Sequence, residues 1–516
     1  MIRDLAGAGH VSATAQVVIV GGGTLGLVIS TYLARKGHSV ICLESGGWTQ
    51  DGESHPLNEV VQLRSTYAGA AGRFRCLGGT STRWGGALIP YLERDVSDAN
   101  WPIPPTEILS YREEVERLFG LSAGPYEGLS TDADLHADYT RRYAKWPSFA
   151  RRNVFSLLRA NLTSEGGPTL WLNATATEFR VDRGALRSIV GRSPDGSRIE
   201  VKCGHVVFAA GAIETTRLLL LLDQQNSHCL TKVTKHLGEG LSDHLSAPVA
   251  NLDVLDRPAL NRTFGFHFDR AGRMRNLRFE LSETGDAREL APRCFAHVAF
   301  VSQPEGPFDT LRDVFRSIQQ GKWPQSRSVL SLCSAAPWLL RLLWWRMIER
   351  RLLFPDDAIL SVHMVTEQSP QPANRITLSS QRSDVFGLPL AEISWGVSRR
   401  DIDEFHAAAD LFERMWRQSR YSKLARFRRL PKEAVEADLV VGGGIYHPVG
   451  TTRLGLGPDT GVVDTNLRVF GLSNVSAVST AVLPTAGGAN PTMSALMLAL
   501  RCVDHVSGLM QEPAGV

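Results

Sequence analysis

The stretch "AQVVIVGGGTLGLVISTYLARKGHSVICLESGG", residues 15–47, decides the fold. Its apolar run Val17–Val20 is unbroken by polar residues, the pattern of a parallel strand covered on both faces. Gly21-x-Gly23-x-x-Gly26 follows, and Thr24 opens a helical pattern leading to a second apolar run, Val40–Leu43. That run ends in Glu44, 18 residues after Gly26. Each position has a mechanical reason. Gly21 allows a tight turn, Gly23 lets a pyrophosphate come up against the backbone, and Gly26 lets the helix pack closely on the strand. The helix start offers unpaired N–H groups and the positive end of its dipole to the phosphates. Glu44 is placed to accept hydrogen bonds from an adenosine ribose. Strand, glycine turn, helix, strand and acid, in that order, predict a Rossmann-like dinucleotide-binding unit.

Tyr32-x-x-x-Lys36 also matches the catalytic pair of short-chain dehydrogenases. It falls on the first helix, too early to meet a substrate, and reads as a coincidence of helix spacing. Further along, "RCLGGTSTRWGGAL" (75–88) holds Gly78-Gly79-Thr80-Ser81 and then Trp84-Gly85-Gly86. With no strand and helix of its own, it is either a surface loop or a source of N–H donors and hydroxyls for a large flat ligand. A third segment, "HVVFAAGAIETTRLLLLL" (205–222), reads as a strand, then Ala209-Ala210-Gly211-Ala212, then a helix. It predicts a strand returning to the dinucleotide sheet, with small residues where the ligand passes. "WLNATATEF" (171–179), which includes Ala176, reads as the strand before it.

Composition narrows the class. A chain of 516 residues exceeds what one core organises, so two domains are expected. A net charge of +3 gives no ground for a nucleic-acid partner. The seven cysteines are scattered, with no CxxC pair. They are expected to be buried thiols in a reducing compartment, neither a disulfide framework nor a metal site. The first fifteen residues carry Arg3 and Asp4 and lack the apolar core of a signal peptide. The most apolar stretch, 330–354, is broken by Pro337 and Arg341, so it falls short of the roughly 20 uncharged residues of a span. A cytoplasmic protein is the expectation.

Near the C-terminus, "GGGIYHPVGTTRLG" (442–455) sets His447 between two glycine turns. Alone it does not separate a catalytic base from a structural loop histidine. Taken together, these segments resemble the glucose-methanol-choline (GMC) family of FAD-dependent oxidoreductases. The resemblance extends over "NWPIPPTEILSYREEVERLFG" (100–120), "GEGLSDHLSAP" (238–248) and "EQSPQPANRITLSSQRSDVFGLPLAEISW" (367–395).

The resemblance implies an α/β fold: a discontinuous Rossmann-like FAD-binding domain (1–95, 165–245, 440–516) plus an α+β substrate domain (96–164, 246–439) whose sheet roofs the flavin. It implies that FAD lies against Gly21, Gly23, Thr24, Gly26, Glu44, Gly78, Gly79, Thr80, Ser81, Trp84, Ala176, Ala210, Gly211, Pro491 and Thr492, with no metal. It also implies that His447 is the active-site base and Asn490, before Pro491-Thr492, its partner. Histidine ordinarily titrates near pH 6.5, which suits a base for alcohol oxidation. His244 is expected to tie a turn, and His363 to be a strand residue that could line the substrate side. Some relatives that oxidise pyranoses attach flavin through the histidine of a Ser-Thr-His-Trp version of the second motif. Here the sequence is Ser81-Thr82-Arg83-Trp84, so noncovalent FAD is expected. Ser479-Thr480-Ala481 departs from the family's Asp-x-Ser, which puts one carboxylate contact in doubt.

The implied reaction is oxidation of an alcohol, a sugar or polyol by motif, with oxygen, a quinone or a cytochrome as acceptor. Rival readings are a reductase or ketosteroid-type dehydrogenase, or a non-catalytic flavin scaffold. Two basic stretches, 338–351 and 414–429, read as helices with a solvated cationic face. The tryptophans of 338–351 also suit a membrane surface or a redox partner.

Overall fold

The computed structural model describes the chain except residues 51, 53, 98–100, 128–137, 283–290, 303–305, 321, 324–331, 334, 443–444 and 512–516. Gly443 and Gly444 of the C-terminal glycine run therefore lie outside the described residues.

An eight-stranded sheet forms around the N-terminal signature. The strand His10–Val20 lies between Val40–Leu43 and Arg198–Phe208, parallel to both. Thr169–Leu172 and Ile2–Asp4 extend one side in parallel. Val475–Ala477, from the far end of the chain, joins Arg198–Phe208. The apolar reading of Val17–Val20 holds: all four side chains are buried, each worth about 1.5–3 kcal/mol over exposure. The helix Thr24–Arg35 packs on this sheet and on the C-terminal helix Thr492–Gln511. Thr492–Gln511 is, among the described residues, the one helix long and apolar enough to cross a membrane, yet most of it is buried in the protein.

Residues 171–179 are two strands, not one. Thr169–Leu172 stops at Asn173, which takes a left-handed backbone (φ 52°), and Thr175–Asp182 begins an antiparallel excursion with Ala185–Arg192. Residues 100–120 likewise hold two helices, Pro105–Leu109 and Arg112–Phe119.

A second, seven-stranded sheet is antiparallel. Its central strands are Met274–Leu281, Cys294–Val301, Ile359–Glu367 and His244–Val254. The register sets Phe279 opposite Ala296 and His297 opposite His363. Arg278, His297 and His363 therefore form one row on one face. The long helix Arg399–Gln418 supports this sheet through Phe405, Phe412 and Trp416. The basic stretch 414–429 is the end of that helix, a short turn and the strand Ala425–Arg429, rather than a helix throughout. A three-stranded sheet joins Arg375–Ser383, Pro389–Ser394 and, from near the N-terminus, Val60–Gln62. All seven cysteines are free thiols; Cys333 is exposed, and Cys203 and Cys229 are half-buried.

Candidate active site

The first glycine turn is as tight as its spacing predicts. A Cβ on Gly26 would sit 1.8 Å from the Gly21 carbonyl oxygen, and one on Gly21 would sit 2.7 Å from Ala210 Cα. Thr24 starts the helix with no side chain capping it and no acid in its first turn, so its N–H groups stay available to an anion. The second glycine motif docks on the first: Gly78 N–H donates to the Gly22 carbonyl at 2.9 Å, and a Cβ on Gly79 would come 2.9 Å from Gly23 Cα.

Not every predicted cofactor residue offers its side chain. The Ser81 hydroxyl donates to Gly78 O at 2.5 Å and accepts from Val154 N–H, and the Trp84 indole donates to Arg152 O at 2.9 Å. These groups brace the loop, while the Thr80 side chain is exposed. Ala176 is buried on its strand; the N–H groups that reach the cradle come from the turn before it, Ala174 to Glu44 O and Asn173 to Gly46 O. Gly211 (φ 78°) turns the chain into the helix Ala212–Gln225.

Glu44 is buried and accepts from Gly22 N–H at 2.6 Å and Gly46 N–H at 2.9 Å. Burial pushes its carboxyl above the usual range, opposed by those two bonds and by Arg75. Nearby, the buried Gln50 Nε2 finds no acceptor among the protein's own groups. Stacked backbones, an uncapped helix start and an unmatched buried donor are what a dinucleotide would fill. The cradle therefore fits FAD.

His447 lies in a loop entered through Tyr446, whose left-handed backbone (φ 67°) is strained for a residue with a side chain. Asp243 holds that loop. Its Oδ1 accepts from His447 N–H at 3.0 Å and from His244 N–H at 2.7 Å, while Tyr67 donates to Oδ2 at 2.5 Å. The two imidazoles meet through their Nδ1 atoms, 3.0 Å apart. His244 Nε2 lies 2.8 Å from Gly487 O. A carbonyl only accepts, so the neutral His244 donates from Nε2 and accepts at Nδ1. His447 then donates from Nδ1, and its Nε2 is the unprotonated nitrogen, free to accept. That Nε2 faces Asn490 Nδ2 at 3.5 Å. Burial first, then His244 and Arg278, push the His447 pKa well below 6.5, and burial lowers His244 to about 4.

His244 is thus no mere turn residue; it orients the candidate base. Its place in "SDHL" gave no sign of this, because its partner lies 203 positions away in the chain. Sequence reasoning also missed Arg278. Its Nη1 donates to Asn490 Oδ1 at 2.7 Å and its Nη2 to Gly488 O at 3.3 Å, which turns the Asn490 amide nitrogen toward His447. Glu280 Oε1 lies 3.1 Å from Arg278 Nε while its Oε2 pairs with Arg142, and the Arg278 guanidinium lies over the Phe295 ring. The row containing Arg278 continues to His297 and His363, whose rings are 5.6 Å apart. Burial lowers His297 to about 3, so this row presents one cation and neutral imidazoles.

Comparison with known proteins agrees with this architecture. A family model for GMC oxidoreductases matches residues 370–499. Paromamine 6'-oxidase of Streptomyces fradiae is 25% identical over 96% of this chain and 91% of its own length. A 2-methyl-1,2-propanediol dehydrogenase of Mycolicibacterium austroafricanum is 27% identical over 29% of this chain and 25% of its own. The fold is similar to that of pyridoxine 4-oxidase from Mesorbium loti, with TM-score 0.58 and 16% identity over 95% of this chain and 99% of that one. Formate oxidase of Aspergillus oryzae RIB40 superposes with TM-score 0.60 at 14% identity, over 97% of this chain and 99% of that one. The chain thus carries a GMC oxidoreductase domain over 370–499, and its dinucleotide cradle and histidine–asparagine pair, with the comparisons, support an FAD-dependent oxidoreductase of that family acting on CH–OH groups.

Proposed function

We propose that the chain oxidises a hydroxyl-rich alcohol, a sugar or polyol, with His447 as base and Asn490 as its partner. The observation that carries this reading is the unprotonated Nε2 of His447, which accepts a long hydrogen bond from Asn490 Nδ2 at 3.5 Å. An alcohol bound between them donates its hydroxyl proton to Nε2 and accepts from the amide. FAD, which the glycine turns at Gly21–Gly26 and Gly78–Gly79 and the start of the helix at Thr24 would hold, would supply the hydride acceptor for the same carbon. His447 stores the proton and keeps its Nδ1–H bond to His244. Arg278 holds the amide and adds positive charge beside the oxygen that loses its proton. The part of the chain assigned to FAD is 1–95, 165–245 and 440–516; of the remainder, the helices Arg112–Phe119 and Val154–Thr163 pack on the same core through Val115, Phe119, Leu158 and Leu162, and the rest is assigned to the substrate side.

The substrate class is supported by relatives named for paromamine and for a C-glycoside, and by the neutral imidazoles of His297 and His363 beside Arg278. The flavin is proposed to be noncovalent. Arg83, at the position of the linking histidine, donates to Gln50 O and Gly52 O and lies over Phe74. Acid precipitation should therefore leave the yellow colour in the supernatant. Anaerobic mixing with a panel of sugars, polyols and simple alcohols should bleach the flavin with some member. A flavin that no alcohol reduces would sink the reading in favour of a scaffold. Reoxidation with oxygen, a quinone or a cytochrome then identifies the acceptor.

A further inference from the structure

The stretch 336–354 presents its apolar face outward. Ala336–Trp344 is α-helical and Trp345–Glu349 continues as a π-helical turn. Leu340 (68% exposed), Leu343 (56%), Trp344 (49%), Met347 (64%) and Ile348 (66%) all face solvent. Their numbers run i, i+3, i+4, i+7, i+8, the spacing of the stripe that a helix normally buries. The opposite face is already used: Leu342 and Trp345 are buried with Leu353, against Leu311 and Trp338. The stripe is also held firmly. Glu349 takes both Arg262 Nε and Nη2, at 3.0 and 2.9 Å, the Arg262 guanidinium lies over Trp345, and Arg341 pairs with Asp356 at 2.8 Å. An apolar stripe fixed in water is a binding surface waiting for its partner.

The charges around it indicate the partner. Of the charges in 336–354, Arg341 is paired with Asp356 and Glu349 with Arg262, which leaves Arg346, Arg350 and Arg351 as the positive side chains. A twofold contact between two copies would bring each set of arginines against the other, which like charges oppose. Anionic lipid headgroups complement them. Trp344 beside arginines also suits the boundary between headgroups and acyl chains. We propose that this stripe docks the protein on the surface of an anionic bilayer, with Leu340, Leu343, Met347 and Ile348 entering the acyl boundary. Nothing in this depends on the roles of His447 and Asn490. The neighbouring helix Pro307–Gln319 ties the region to the flavin loop, since Gln319 Nε2 donates to Ser81 O and Trp84 O at 3.2 and 3.0 Å.

The test is flotation of the full-length flavoprotein with vesicles of phosphatidylcholine alone or mixed with phosphatidylserine. Binding is expected to the mixed vesicles at low salt and to weaken steeply as salt screens the headgroups. The triple variant Leu343→Ser, Met347→Ser, Ile348→Ser should lose at least about tenfold in binding, with flavin reduction by a dissolved alcohol unchanged. Should that variant misfold, Arg350→Glu keeps the proposal testable, because it should weaken only the anionic-lipid component. The proposal is overturned by no binding at low salt, or by equal binding to neutral and anionic vesicles. It is overturned too if the wild type sediments as a dimer that the triple variant splits while neither binds lipid, which would make the stripe a contact between copies.

Discussion

The cofactor cradle and the histidine site were built in opposite ways. The heart of the cradle is a run of neighbours. Gly21, Gly23, Gly26 and Glu44 lie within 24 positions, and their spacing forces the geometry whatever the rest of the chain does. The histidine site gathers Tyr67, Asp243, His244, Arg278, His447 and Asn490 from five separate segments. Its order is a property of the assembled sheets and exists in no local stretch. Damage to the two regions should therefore separate cleanly. His447→Ala should keep its FAD but reduce it about 10²–10⁴-fold more slowly, the usual cost of losing a general base. Glu44→Ala should do the reverse. It removes charge-assisted bonds of roughly 1.5–3 kcal/mol, so FAD should wash out on dialysis, while excess FAD restores near-normal reduction. A His447 variant that reduces its flavin at the wild-type rate would make the histidine structural.

This contrast explains what the sequence could reveal. Val17–Val20, Val40–Leu43 and the helix from Thr24 follow their apolar spacing because each is local. His447 and Asn490 were reached through resemblance to a family, not through spacing. Arg278 was invisible: it sits on Met274–Leu281 among alternating residues, and only the strand register carries it to Asn490. His244 stood in plain view in "SDHL" but looked like a turn, because the carbonyl that fixes its tautomer, at Gly487, is 243 positions away. The stretch 338–351 showed a different limit, since its arginines and tryptophans allowed both a solvated face and an interfacial one. Periodicity tells which residues share a face; it does not tell whether that face is covered.

A smaller effect tests the tautomer chain. His244→Phe keeps a flat ring but offers no acceptor, so His447 loses the partner that keeps its proton on Nδ1. Partners that orient metal-bound histidines matter about 10–100-fold, and by analogy flavin reduction should slow by that order with FAD occupancy unchanged. His244→Asn should recover much of the rate, because its Oδ1 can accept where the imidazole Nδ1 did. If the phenylalanine and asparagine variants are equally slow, His244 matters only as packing.

The subtlest expected effect is in the pH profile, where the structure revises the sequence. An ordinary histidine base would give a limb near pH 6.5. Here burial, reinforced by His244 and Arg278, lowers the His447 pKa well below 6.5. The active form is the neutral one, present above that pKa, so lowering it extends activity toward acid. Flavin reduction should be level across neutral pH and fall only under distinctly acidic conditions. Asp243 titrates closer to neutrality. Burial pushes its carboxyl up to about 6, against the pull of Tyr67 and the N–H groups of His244 and His447. Protonating it weakens the anchor of both histidine backbones, so a shallow step near pH 6 belongs to Asp243. Asp243→Asn should erase that step and leave the acidic limb, whereas His447→Ala should erase the acidic limb. A single steep limb at 6.5 that vanishes in the His447 variant and survives in Asp243→Asn would show that the imidazole keeps an ordinary histidine pKa, against the lowering expected here.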